Sequence, residues 1–71
     1  MLELKISLFH DGQRVAKLKT SDGTMVESKV DSSSLVLALK NLRDCLHDMG
    51  YKDESDEILT VEDAIREFEK D

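Results

Sequence analysis

An α+β domain, a three-stranded antiparallel β-meander followed by two α-helices, is what this 71-residue chain predicts. Apolar residues alternate along its first part, and Asp-Gly turn signals interrupt that alternation twice. After residue 31 the apolar spacing changes to three and four. A helix packed across one sheet face buries both patterns at once.

The first strand alternates Leu2, Leu4, Ile6 and Leu8 against Glu3, Lys5, Ser7 and Phe9. Strand-like runs follow at 14–20 (RVAKLKT) and 24–30 (TMVESKV). A two-residue turn at Asp11-Gly12 would set Leu8 against Val15 and Ile6 against Lys17, which buries lysines. An odd loop pairs Leu8 with Ala16, Ile6 with Leu18 and Leu4 with Thr20, and the hydrophobic pattern prefers it. The second hairpin fits a three-residue loop, Ser21-Asp22-Gly23, with glycine left-handed. Leu18 then faces Val26, and Lys17 faces Glu27.

Asp31 and Ser32 to Ser34 offer caps for the first helix, about residues 33–49. Leu35, Leu39, Leu42, Leu46 and Met49 form its stripe, broadened by Ala38 and Cys45. Gly50 suits the left-handed position beyond it, with Tyr51 reaching back to Leu46. An acidic connection occupies 51–59, where Ile58 and Leu59 read as a short strand or a buried turn. The last helix, about 61–70, reads as capped by Thr60, with Asp63 in a capping-box position. Its stripe is Val61, Ala64, Ile65 and Phe68. At about ten residues it needs a surface to dock on.

The sheet (2–30) and helices read as a single domain over 1–71, with no proline, internal repeat or low-complexity tract. A chain this short buries only about 60% of its unfolded surface. Cys45 is the only cysteine, which points to a reducing compartment. Glu3 and Lys5 interrupt the apolar N-terminus, so it reads as neither a signal peptide nor a membrane span. A soluble, cytoplasmic protein is expected.

The net charge of −6 is unevenly divided. Residues 1–43 carry five acids and seven bases, whereas 44–71 carry eleven acids and three bases. The second half therefore favours a partner with a basic surface and disfavours nucleic acid there. Metal binding is not expected. A calcium loop begun at Asp53 would put Ile58 where glycine belongs and Ala64 where a bidentate glutamate belongs. Cys45, His47 and His10 are too few and ill-spaced for structural zinc; on a helix Cys45 and His47 point about 200° apart. Asp44 and Asp48 would raise the Cys45 thiol rather than activate it. No glycine loop cradles phosphate. No cofactor and no enzymatic activity is expected.

Two surfaces remain as candidates. The outer sheet face carries Lys5, Lys17, Lys19 and Lys29 with Glu3 and Glu27, beside Phe9, Val15 and Met25. A basic face with an aromatic can meet nucleic acid, but net +2 is slight for that work. The other surface is acidic: Asp53, Glu54, Asp56 and Glu57, continued by Glu62, Asp63 and Glu67. Residues 61–71 span roughly 16 Å as a helix with net charge −3. Duplex DNA carries about nine charges over that length. Glu62 and Arg66, four apart, form an ordinary helix pair. Most of this charge is a solvated face, and the 53–57 cluster is the part in surplus. Leu37, opposite the first helix's stripe, is an apolar surplus unless the last helix covers it.

The leading reading is a non-enzymatic acidic protein that regulates or inhibits a protein partner through its C-terminal surface. In size and charge, and not through any motif, it is similar to the compact acidic proteins with which phages block host machinery, anti-CRISPR proteins among them. The alternative is a nucleic-acid-binding module using the lysine-bearing sheet. A homodimer through Leu37 or Phe9 is compatible with either.

Overall fold

The computed structural model describes residues 2–8, 14–31 and 34–70, apart from the side chains of 6–8. Strands β1 (Glu3–Leu8), β2 (Arg14–Lys19) and β3 (Met25–Val30) form one antiparallel sheet in the order β1-β2-β3. Helices α1 (Leu35–Asp48) and α2 (Asp56–Glu69) follow. Helix α1 lies against β2 and β3, and α2 lies against α1. This is the predicted α+β meander with two helices.

The second hairpin has the expected register, Leu18 opposite Val26 and Lys17 opposite Glu27. Gly23 takes φ +92°, and Thr20 and Thr24 close the three-residue loop with a 2.8 Å backbone bond. The Thr20 hydroxyl, fully buried, donates to Asp22 and accepts from the Thr24 N–H at 3.1 Å. The first hairpin differs from expectation by two residues. Leu4 faces Leu18, Ile6 faces Ala16 and Leu8 faces Arg14. The odd-loop parity holds. A slip of two leaves every side chain on the same face, so alternation cannot detect it. The turn itself lies outside the described residues.

In α1, Ser34 caps the first turn by accepting from the Leu37 N–H at 3.2 Å. Gly50 takes φ +99°. The Tyr51 N–H reaches Leu46 O at 3.1 Å and the Gly50 N–H reaches His47 O at 3.0 Å, the paired bonds of a Schellman ending. The other helix start is a correction. Thr60 is not a cap and the acidic connection does not run to residue 59. Ser55 is the cap, accepting from the Ile58 N–H at 3.3 Å, and α2 begins at Asp56. The five extra helical residues, 56–60, bring Ile58 into the core as a helical position, neither strand nor turn.

One apolar cluster joins the layers: Ala16, Leu18 and Val26 from the sheet, Ala38, Leu39, Leu42 and Leu46 from α1, and Ile58, Val61 and Ile65 from α2. Both predicted stripes stop short. Met49, the residue that ends α1, and Phe68, one residue from the end of α2, are about half exposed. Buried Ser28 of β3 accepts from Asn41 of α1 at 2.7 Å. Val15 is a second correction. Its parity places it on the outer face, yet it is 1% exposed and stands apart from the main cluster.

Candidate protein-binding surface

The seven acidic residues singled out from sequence divide into two groups in space. Glu57 is the plainest departure from a binding role. It lies in the first turn of α2, is only 8% exposed, and accepts from Ser21 N (3.2 Å) and Ser21 Oγ (3.1 Å) with one carboxylate oxygen. It ties α2 to the tip of the β2–β3 hairpin. The Ser21 N–H, aided by Glu57's own N–H, holds the carboxyl below the usual glutamate range. Asp22 beside it is lowered too, first by the Thr20 hydroxyl and then by the Thr24 N–H.

Glu62 joins Arg43 of α1 at 2.7 Å, both side chains about two-thirds buried. The expected pair with Arg66 does not form; Arg66 turns to Asp63 one residue nearer. Glu69 reaches back to Lys40 of α1 at 3.1 Å. These contacts hold the two helices together as a hairpin. Asp53 meets His47 Nε2 at 2.7 Å but keeps a side chain 86% exposed. Asp56, in the first turn of α2, is favoured there by the helix dipole. The expectation that no regular helix accounts for the 53–57 cluster therefore fails for Asp56 and Glu57.

What remains is concentrated where the hairpin turns. Glu54, Asp44 and Asp48 are exposed and, among the described residues, have no cationic partner. Asp48 is the last residue of α1 and Asp44 lies a turn earlier. A negative charge at a helix C-terminus opposes the macrodipole, so fold stability does not explain either one. Neither was among the candidate binding residues named from sequence. Their signal was legible: acids near the end of a helix closed by Gly50. Met49, the residue that ends α1, is 52% exposed and lines a shallow cleft of about 220 Å³ with Thr24, Gly50 and Tyr51. Glu67, on the outer side of α2, is also exposed and unpaired among the described residues. It borders a broader depression of about 520 Å³ lined by Asp63, Arg66, Glu67, Glu69 and Lys70, all from the end of one helix.

The outer sheet face is half neutralised. Lys17 pairs with Glu27 at 3.4 Å, and Lys5 approaches Glu3 at 4.0 Å. Lys19 is exposed, Lys29 is engaged, Met25 is 57% exposed, and Phe9 lies outside the described residues. Leu37 is 49% exposed, uncovered by α2. Among the described residues no three His, Cys, Asp or Glu side chains converge as metal ligands, and no helix is long and apolar enough to cross a membrane. Comparison of the chain with family models, curated proteins and solved structures returns no match.

Proposed function

We infer that this is a non-enzymatic protein that regulates or inhibits a partner with a basic surface. The contact is placed at the turning end of the helical hairpin rather than along α2. The supporting observation is that Asp44, Asp48 and Glu54 are exposed with no cationic partner among the described residues, while Asp53 keeps an exposed side chain and Met49, at the same turn, is half exposed. A polarizable, unbranched methionine adapts to varied surfaces, and acids around an apolar contact speed association with a basic partner. Compact acidic inhibitors of the phage type share this size and charge, and a host protein is the target that likeness suggests.

The test uses the immobilised chain beside an Asp48→Lys, Glu54→Lys control that melts no lower than the native chain, each offered the same cell lysate at low salt. A protein retained by the native chain should be lost from the control and should elute over a narrow rise in salt. Its association rate should fall about tenfold on double reversal. Equal retention by both chains would overturn the reading.

A further inference from the structure

Strand β1 is an edge. It pairs with β2 on one side only, and among the described residues no backbone hydrogen bond outside the ladder reaches it. An unpaired edge is a template for another strand unless proline, a bulge or a covering segment blunts it. Here Glu3–Leu8 runs in unbroken register with β2, without proline or bulge. The other edge, β3, is closed on its inner side, where Val26 is 6% and Ser28 2% exposed beneath α1. On β1, by contrast, Leu2 and Leu4 are only partly buried. On the outer face of β1, Glu3 stands opposite Lys19, but Lys5 meets no acid across the ladder. Lys5 stands opposite Lys17, a like-charge placement, and its contact with Glu3 is long and exposed.

We propose that β1 pairs with β1 of a second copy of this chain, antiparallel and centred on Leu4. Alternation restricts the pairing to registers in which like faces meet. Centred on Leu4, Glu3 stands opposite Lys5 of the second copy, and the two-fold axis repeats the pair. Centring on Glu3 sets carboxylate against carboxylate, and centring on Lys5 sets ammonium against ammonium. Centring on Ile6 brings no opposite charges together. The two-fold is perpendicular to the sheet, so both pairs of helices lie on one side of a six-stranded sheet. Leu4 meets its own copy on the helix side, which covers the apolar surface that one chain leaves partly open. One strand pair buries less than the roughly 1,200 Å² of a stable interface, so the dimer is weak and concentration-dependent.

Sedimentation velocity of the full chain up to about 1 mM, where so small an interface acts, tests this. Wild type should shift from monomer toward dimer. Glu3→Lys and Lys5→Glu, both at exposed positions and checked for unchanged melting, should each weaken dimerisation tenfold or more. The Glu3→Lys, Lys5→Glu double variant should restore it. The two single variants mixed together should form a heterodimer, because every facing pair is then opposite in charge. A monomer at all concentrations, or dimerisation indifferent to these exchanges, would overturn the proposal. None of the substitutions touches the acidic end of the hairpin, so this result is independent of partner binding there.

Discussion

Glu57, Glu62 and Glu69 leave α2 toward other elements and meet Ser21, Arg43 and Lys40. Asp44, Asp48 and Glu54 surround the end of the same helical hairpin and meet no cation among the described residues. Both groups are carboxylates, and they are adjacent in the chain. What separates them is direction. Acids on the inner flanks of α2 replace lost hydration with hydrogen bonds and ion pairs, while those at the hairpin end keep their water and their field. Net charge therefore overstates the number of carboxylates that stand free of contacts within the fold.

The comparison can be broken first at its common support. Leu18 and Leu42 are fully buried in the cluster that carries both helices. Leu18→Asp or Leu42→Asp leaves an unpaired buried charge that costs several kcal/mol, comparable with the roughly 5 kcal/mol stability of a small domain. Circular dichroism should show neither variant folded, and a native-like melt would contradict the assigned core.

The next effect tests whether Glu57 is structural. Glu57→Ala removes two hydrogen bonds and should cost about 1–2 kcal/mol in urea unfolding; an unchanged midpoint would return Glu57 to the surface group. Because its carboxyl is depressed in the folded state, Glu57's contribution is complete above the unfolded value near 4 and is lost as pH falls through the lower folded value. Stability should drop below about pH 4, and Glu57→Gln should flatten that part of the profile.

Arg43 and Glu62 sharpen the contrast at a smaller scale. Their pair is only partly exposed, so a double-mutant cycle with Arg43→Met and Glu62→Gln should return about 0.5–1 kcal/mol of coupling. A coupling of zero would make Glu62 as superfluous to the fold as Glu54.

Smallest is the effect at the hairpin end, and it has the opposite sign. Asp48→Lys reverses a charge that opposes the α1 dipole and should stabilise by about 0.3–1 kcal/mol at low salt. Asp53→Lys with Asp56→Lys should instead destabilise slightly, since it breaks the His47 contact and puts a cation in the first turn of α2. If both changes lowered the melting temperature equally, the division between the two acidic groups would fail.

Local pattern alone determined the strands, the parity of both hairpins, the glycine turns at Gly23 and Gly50, and the main apolar faces of the helices. Each depends on neighbours within four or five residues, where alternation, helical spacing and left-handed backbone leave direct marks in sequence. Tertiary structure decided the rest. The first hairpin's pairing differs by two residues from another register of the same parity, and alternation does not separate the two. The capping pattern at Thr60 pointed to a later start of α2 than the one observed. The chain uses Ser55 because the extra turn buries Ile58 and brings Glu57 to Ser21, a residue 36 positions away. Which acids face a cation and which face water is likewise a matter of contacts between elements, and periodicity within one element carries no record of them.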